Sequence, residues 1–271
     1  MNRLRAFFIH LLISAAVIGS IAFGLFTLWY PPELLGFAKG DRLFVIIAVV
    51  DIVAGPLLTL VVFKPGKPSL KFDLAVVGLL QALFLAAGLW TVWASRPVFL
   101  VGGNGYFELV YASQIDADDL ALAPAGFRQL PAFGARLIGL REASPAESAS
   151  ILDSGKSGRP RSTLPLFYQD FEASADSLRK RSRGPDELSD FVYFLDLGGL
   201  RAVQRARAGD VQARFLPVAS IRGNALFEVD PVSMKPLRYV PLPVPESPDG
   251  SLEANPSEAA AAPAQIAAGV R

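Results

Sequence analysis

Three long stretches almost free of ionisable residues constrain this chain more than any other feature. They cover residues 7–29, 43–63 and 74–95, and only His10 and Asp51 interrupt them. A helix of about 20 apolar residues crosses the roughly 30 Å hydrocarbon core of a bilayer, so each stretch is long enough to span a membrane. No stretch after Arg96 reaches this length. The sequence therefore predicts three transmembrane helices within residues 1–97.

The composition agrees with a membrane segment followed by a water-exposed one. Hydrophobic residues make up 52% of the chain and charged residues only 19%, whereas an ordinary soluble domain has about 25% charged residues. Residues 1–97 carry a net charge of +4 and residues 98–271 a net charge of −3. We predict an α+β extracytoplasmic domain in residues 98–245. Residues 246–271, rich in alanine and proline, are predicted to be a disordered tail because they lack the apolar residues of a core.

Several function classes are excluded by residues that are absent or rare. The chain has no cysteine, which excludes disulfides and thiolate zinc sites. Its single histidine, His10, lies in the first apolar stretch, so a Ser-His-Asp triad is excluded from the rest of the chain. An overall charge of +1 gives no reason to expect nucleic acid as a partner. We predict that the protein is not an enzyme and holds no cofactor or metal.

Basic residues beside the apolar stretches predict the orientation in the membrane. Five of them precede the first stretch or lie between the second and third, namely Arg3, Arg5, Lys64, Lys67 and Lys71. Three lie on the other side. Because basic residues concentrate on the cytoplasmic side, we expect a cytoplasmic N-terminus, a periplasmic C-terminal domain and a location in a bacterial inner membrane. The first stretch exceeds the roughly 7–15 residues of a signal-peptide core, so we expect it to be retained.

Asp51 is an acid inside the second apolar stretch. An ionised carboxylate there costs at least about 2.5 kcal/mol, so such residues pair with other polar groups. Counting from the predicted helix ends places Ser20 and residues 87–88 at a similar depth. Asp51 therefore makes a polar contact within the bundle or with a partner's helix, or it is protonated and bonded to Ser20 or to a carbonyl near position 52 that Pro56 leaves without a donor. Proton transport would need further acids in these stretches, and the sequence has none.

Residues 98–245 show patterns of both strands and helices. Residues 98–101 are apolar, residues 107–111 are apolar apart from Glu108, and the two segments flank Gly102-Gly103-Asn104-Gly105, which predicts a hairpin. Ser144, Pro145 and Glu147 have the spacing of a helix start. Aromatic and apolar residues over 168–178 recur at helical spacing, and residues 186–197 fit a helix or a strand. Further strands are predicted at residues 215–221, 226–229 and 237–240.

An Asp-x-Asp pair, Asp116 and Asp118, is the strongest catalytic pattern in this region. Two carboxylates at that spacing hold a divalent metal in many sugar-nucleotide transferases, because hard cations prefer oxygen ligands. The same residues, with Asp119, also fit an acidic turn exposed to solvent. The glycine-rich Gly102–Gly105 segment lacks the Lys-Ser/Thr of a phosphate-binding loop, so a turn is the better interpretation.

Five segments together resemble the type IV pilin accessory proteins of the TfpX/TfpZ type. They are IHLLISAAV (9–17), WYPPELL (29–35), DIVAGPLLTLVVFKPGKPSLKFDLAVV (51–77), QALFLAAGLWTVWASRPVFLV (81–101) and FELV (107–110). The residues that match the family's motif are Asp51, Gly55, Pro56, Lys64, Pro65, Gly66, Lys71 and Asp73. The resemblance covers about the first 115 residues well and the rest only loosely.

This resemblance implies a membrane protein that assists pilus biogenesis without catalysis. Its expected role is to modulate the assembly, surface display or retraction of a cognate pilin. The expected partners are type IV pilin, other inner-membrane assembly proteins and the lipid bilayer. Two alternatives remain: an enzyme that modifies pilin or envelope glycans through Asp116 and Asp118, and a membrane sensor whose outer domain binds a ligand.

Overall fold

The computed structural model describes residues 2–28, 40–153, 156, 158–240 and 242. The chain divides into two units. The helical unit is Met1–Pro97 with Tyr111–Ser113 and Ala132–Ala135, and the sheet unit is Val98–Val110, Gln114–Pro131 and Arg136–Arg271. The predicted tail, residues 246–271, and the WYPPELL segment, residues 29–35, lie outside the described residues.

The helical unit contains three helices that are long and apolar enough to cross a membrane. Helix α1 is Arg3–Leu28 and helix α3 is Leu70–Ala94. Helix α2 covers residues 40–62 in three consecutive parts, Gly40–Val49, a π-helical segment Val50–Ala54, and Gly55–Val62. The prediction of three long apolar helices is confirmed.

Large apolar side chains point outward from these helices. Where the helices meet, Ile18, Leu25, Phe44 and Val92 form a small buried cluster. Many larger side chains are exposed on the outer surface, among them Phe8, Leu12, Phe23, Val61, Phe84 and Trp90. Soluble monomers rarely expose a contiguous apolar surface of this kind, because water contact with it is unfavourable.

The sheet unit is built on a mixed sheet of seven strands. In chain order they are β1 Pro97–Gly103, β2 Tyr106–Tyr111, β3 Arg136–Leu140, β4 Tyr168–Gln169, β5 Arg214–Ser220, β6 Gly223–Val229 and β7 Pro236–Val240. Their order across the sheet is β4-β3-β1-β2-β5-β6-β7. Strands β1 and β3 are parallel, as are β2 and β5, while the β3–β4, β5–β6 and β6–β7 pairs are antiparallel.

Local sequence patterns predicted several of these elements correctly. The β1–β2 hairpin is confirmed, and its turn residues Asn104 and Gly105 have φ of 54° and 86°. Positive φ at both central residues is typical of the type I′ turn that Asn-Gly favours. The three later strands are confirmed with shifts at their ends.

Short helices surround the sheet. The α-helices are α4 Ala117–Ala121, α5 Pro145–Asp153, α6 Ala175–Arg181 and α7 Leu197–Ala206. The 3₁₀ turns are Ala112–Gln114, Ala125–Phe127, Arg161–Thr163, Pro165–Phe167, Phe171–Ser174 and Pro185–Phe191. The mixed α and β architecture of this region is as expected.

The helix predicted over residues 168–178 is wrong in part, and residues 186–197 differ from both of their alternatives. Residues 168–178 form strand β4, the 3₁₀ turn Phe171–Ser174 and only then α6, because Asp170 is extended (ψ 141°) between them. The first half of residues 186–197, for which the sequence fits a helix or a strand, is the 3₁₀ turn Pro185–Phe191. Leu188, Phe191 and Leu195 are buried against the sheet although they belong to no single regular element, so their spacing does not identify one.

An aromatic cluster lies at the centre of the sheet unit. The Phe107 side chain is fully buried, its ring stacks on Phe171 at a centroid distance of 6.2 Å, and it meets Phe227 edge-to-face at 5.9 Å. These contacts join β2, β6 and the turn that precedes α6. The packing of these three elements against one another therefore depends on Phe107.

Helix α5 begins with the capping box that the sequence predicted. The Ser144 backbone N–H donates to Glu147 Oε2 at 2.9 Å, and the Glu147 backbone N–H donates to Ser144 Oγ at 3.3 Å. Arg141 also donates to both carboxylate oxygens, at 2.7 and 3.0 Å. These bonds, first that from Arg141 and then those from Ser144, lower the pKa of Glu147 from its ordinary 4.5 to about 2.

We expect the start of α5 to loosen in acid. A carboxyl whose pKa is lower in the folded state stabilises that state fully above the unfolded pKa, and this contribution is lost as pH falls towards the folded pKa. The loss should therefore occur between about pH 4.5 and pH 2, measured as faster amide hydrogen exchange at Ser144 and Glu147. Glu147→Gln should remove this step from the profile; an unchanged profile would contradict the assignment.

Candidate functional site

A cleft with polar groups lies among the three apolar helices. Its volume is about 220 Å³. Its lining consists of His10, Ile13, Ser14, Val17, Ile18, Asp51, Gly78, Gln81, Ala82 and Leu85, so all three helices contribute. Concave sites that are mostly apolar and hold a few convergent polar groups are the usual form of a binding site.

The π-helical segment of α2 determines which backbone carbonyl Pro56 leaves without a hydrogen-bond donor. In a π-helix each N–H bonds to the carbonyl five residues earlier. The residue five positions after Asp51 is Pro56, which has no N–H. The Asp51 carbonyl instead accepts a hydrogen bond from Gln81 Nε2 of α3 at 3.1 Å. In an α-helix Pro56 would leave the carbonyl of residue 52 without a donor, as the sequence predicts. In the π-helical segment the carbonyl without a donor is instead that of residue 51, one position earlier.

Gly55 allows the close approach that this bond requires. A Cβ atom placed on Gly55 would overlap the side-chain amide of Gln81. The buried glycine and the proline that follows it therefore act together: Pro56 removes a donor from α2 and Gly55 leaves room for α3 to replace it. The motif residues Asp51, Gly55 and Pro56 are therefore all needed for the hydrogen bond between α2 and Gln81.

The Asp51 side chain has a different environment from its carbonyl. The residue is 5% exposed, and among the described residues no donor reaches its carboxylate. On the α1 side of the bundle, His10 Nδ1 and Thr59 Oγ1 are 2.6 Å apart and share a hydrogen bond. The buried carboxylate therefore faces a cleft in which the His10 ring and the Gln81 amide already have other partners.

Of the alternatives that the sequence left for Asp51, the bond to Ser20 is not formed. The Ser20 hydroxyl donates to the Ala16 carbonyl of its own helix at 2.8 Å, and Gly88 faces Ile47 rather than Asp51. The reason is the length of α2, which begins at Gly40 and not at residue 43. Asp51 therefore lies nearly one turn deeper than counted.

The other motif residues form the α2–α3 turn, away from the cleft. Lys64, Pro65 and Gly66 precede Lys67, whose backbone N–H donates to the Lys64 carbonyl at 3.2 Å. Gly66 has φ of +80°. Proline followed by a residue with positive φ is typical of a type II turn. This turn reverses the chain between α2 and α3.

Lys71 and Asp73 follow that turn, in the first residues of α3. Asp73 Oδ2 forms an ion pair with Lys67 Nζ at 2.5 Å and accepts a hydrogen bond from Ser69 Oγ at 3.2 Å. Lys71 is exposed. These two residues therefore belong to the start of α3 and not to the cleft.

Sequence reasoning missed Gln81, Thr59 and the role of His10. Each is a polar residue within an apolar stretch, and that was the signal available. Only the fold reveals which of them meet, because residues 10, 59 and 81 belong to three different helices.

Gly55→Ala is expected to weaken the helical unit by about 1 kcal/mol, because Gln81 must turn away and lose its bond to the Asp51 carbonyl. Gly19→Ala is the matched control, since a Cβ there meets nothing within 4 Å. That change should be neutral or stabilising by up to about 1 kcal/mol. Unfolding of the full chain in mixed micelles measures both; equal effects would contradict the close-approach argument.

The Asp-x-Asp pair has a structural explanation in the sheet unit. Arg159 Nη1 donates to Asp116 Oδ2 at 2.7 Å and to Asp119 Oδ2 at 2.6 Å. Lys156 also bonds the Asp119 carboxylate. Burial alone would raise the pKa of Asp119, but the bonds from Lys156 and Arg159 outweigh it and hold the pKa below its usual value. Among the described residues, no group of three acidic or histidine side chains could hold a metal.

Known proteins resemble this chain across both units. Fimbrial assembly protein, serogroup E1, of Dichelobacter nodosus is 26% identical over 232 residues, which are 82% of this chain and 90% of that protein. The serogroup I protein of the same organism is 27% identical over 237 residues, with the same coverage. The family model described as fimbrial assembly protein FimB matches residues 1–32. The resemblance to a type IV pilus accessory family is confirmed.

A further relative is a shorter protein that is similar to less than half of this chain. The fimbrial assembly protein of serogroups C1 and C2 from Dichelobacter nodosus is 28% identical over 131 residues, covering 45% of this chain and all of that protein. No solved structure matches this chain.

Proposed function

We propose that this protein is a membrane-embedded accessory factor for type IV pilus assembly, acting by contact with other proteins and not by catalysis. The observation that carries the proposal is the similarity to fimbrial assembly proteins over 82% of the chain, which includes both the apolar helices and the sheet unit. The proposed partners are type IV pilin and other inner-membrane proteins of the assembly machinery.

The outer surface of the helical unit supports a place in the bilayer. Its exposed side chains include Phe8, Phe23, Phe84 and Trp90, which are favourable against lipid and unfavourable against water. The segments Arg3–Leu25, Phe44–Val62 and Leu70–Ala94 have mean hydropathies of 2.2, 2.6 and 2.0. Helices satisfy backbone polar groups internally, as a bilayer requires, and where Pro56 leaves the Asp51 carbonyl without a helical donor Gln81 supplies one.

The distribution of basic residues supports a cytoplasmic N-terminus. The His10–Thr59 contact places the beginning of α1 beside the end of α2. Arg3, Arg5 and the lysines of the α2–α3 turn therefore lie at the same end of the helical unit, and the positive-inside rule assigns this end to the cytoplasm. The sheet unit is then periplasmic and the membrane is the bacterial inner membrane.

The Arg159 cluster favours contact over the glycan-modifying alternative. One of the two carboxylate oxygens with which Asp116 would bind a metal, Oδ2, already accepts a hydrogen bond from the Arg159 guanidinium. A cation fixed at that position opposes a divalent metal, because like charges repel at such distances. The alternative remains testable through Asp116 and Asp118.

Deletion of the gene with measurement of surface pilin and total pilin tests the proposal. We expect surface pili or twitching to change while total pilin remains, and expect restoration by the wild-type chain. The variant carrying Asp116→Ala and Asp118→Ala should restore piliation equally well. Normal piliation in the deletion strain would refute the pilus role. Failure of the double variant together with an altered pilin mass would instead establish the enzyme.

A further inference from the structure

We propose that the cleft beside Asp51 receives one cationic side chain, a lysine or an arginine, from the membrane helix of a neighbouring protein. This inference rests on the proposed function in one respect, namely that α1, α2 and α3 span a bilayer. It adds the chemistry of the partner, which the relatives' names do not give.

The carboxylate of Asp51 provides the recognition. It is 95% buried, lines the cleft, and receives no hydrogen bond from the described residues. The Gln81 side-chain amide, which also lines the cleft, donates to the Asp51 carbonyl instead. Charged and polar groups inside a membrane pair with one another, because lipid offers them no other partner. The Asp51 carboxylate is therefore open to a donor from a neighbouring protein.

The remainder of the cleft determines the kind of donor. Asp51 is the only acid among the lining residues, and His10, the other titratable one, is bonded to Thr59. The volume of about 220 Å³ is several times the roughly 30 Å³ share of a water molecule. Apolar neighbours such as Ile13, Val17 and Leu85 would contact the methylene groups of a long basic side chain.

The distance of Asp51 from both ends of α2 indicates that the cation comes from a transmembrane helix of the partner. Asp51 is the middle residue of α2, residues 40–62, so about 16 Å of helix separates it from either end. Lipid amines and water-soluble cations remain at the surfaces of a bilayer, whereas a side chain at the middle of a neighbouring transmembrane helix reaches this depth.

A synthetic helix provides the probe. The full-length protein is reconstituted in vesicles of phosphatidylethanolamine and phosphatidylglycerol (3:1), together with a labelled leucine-rich transmembrane peptide that has lysine at its centre. Energy transfer measures its association against matched peptides with leucine or asparagine at that position. We expect the lysine peptide to bind at least tenfold more tightly than the leucine peptide.

Variants of the protein assign the preference to the cleft. Asp51→Asn, which keeps the shape of the side chain, should abolish the preference for lysine. Gly78→Leu should also reduce it, because it fills the cleft without altering the carboxylate: a Cβ at Gly78 meets nothing within 4 Å. Ser20→Ala, which affects only a bond within α1, should leave it unchanged.

Three results would overturn the proposal. They are equal binding of the lysine and leucine peptides, binding of the asparagine peptide as tight as that of the lysine peptide, and a lysine preference that survives Asp51→Asn. Its failure is distinguishable from failure of the pilus role, because the deletion strain reports on piliation independently. A lysine preference in vesicles together with normal piliation in the deletion strain would support the cation site and refute the pilus function.

Discussion

Arg159→Ala is expected to destabilise the sheet unit by about 3 kcal/mol, because it leaves the buried Asp119 carboxylate with only Lys156 as a charged partner. Arg159 bonds Asp116 and Asp119, and its Nη2 donates to the Gln114 and Thr163 carbonyls at 2.9 and 3.2 Å. Asp119 is 4% exposed in the intact fold, so its carboxylate depends on donors from the protein. Buried groups left without partners carry their full desolvation cost.

Chemical denaturation of the full chain in detergent, followed by a probe in the sheet unit, measures this effect. Arg205→Ala is the matched control, since Arg205 is an exposed arginine on α7, and it should change the free energy of unfolding by less than about 0.5 kcal/mol. If both arginine variants were equally stable, the cluster around Asp119 would not be structural. The catalytic interpretation of Asp116 and Asp118 would then regain support.

Phe107→Ala is expected to cost about 3–5 kcal/mol of the free energy of unfolding of the sheet unit. The substitution leaves a cavity in a fully buried position and removes the ring contacts to Phe171 and Phe227. Native cores are packed too densely for neighbouring rings to fill such a space completely. Because stability of this size is a large fraction of that of a typical domain, we also expect lower steady-state levels of the protein in cells.

Tyr193→Ala provides the control for Phe107→Ala. Tyr193 is an aromatic residue of the same unit that is 80% exposed, so its loss should alter unfolding by less than about 0.5 kcal/mol. Thermal unfolding of the purified full chain separates the two variants. Similar midpoints would mean that Phe107 is not part of the core.

Local chemistry explains what the sequence could predict. Length and the lack of charge determine the three apolar helices, because few other structures accommodate such stretches. Asn104-Gly105 predicts its turn, since both residues tolerate positive φ. Ser144 and Glu147 predict the start of α5, since each satisfies a backbone donor of the other.

Contacts between distant residues explain what the sequence could not predict. Strand β3 contains Gly139, which weakens a strand pattern but allows the Asp170 carbonyl and the Ser174 hydroxyl to approach closely. Helix α7 was missed because Gly198 and Gly199 disfavour helix, although Asp196 caps it by accepting from the Gly199 N–H at 2.8 Å.

The candidate site shows the same division between local and distant information. The acid, glycine and proline of the Asp51–Pro56 motif were visible in the sequence. Their partner Gln81 is 30 residues away, and the π-helical turn that selects the Asp51 carbonyl leaves no mark in composition. The helix α2 begins three residues before the predicted start, which removes Ser20 from the possible partners of Asp51.

Photo-crosslinking in living cells tests the central claim, that the apolar helices lie in the membrane and contact pilin there. A photoreactive amino acid replaces Ile13, which lines the cleft and is 57% exposed, or Phe84, which is 64% exposed and does not line it. We predict a covalent adduct with pilin from position 13, a much weaker one from position 84, and loss of the first when Asp51→Asn is added. Recovery of the protein in the soluble fraction, or no pilin adduct from position 13 in piliated cells, would contradict this account.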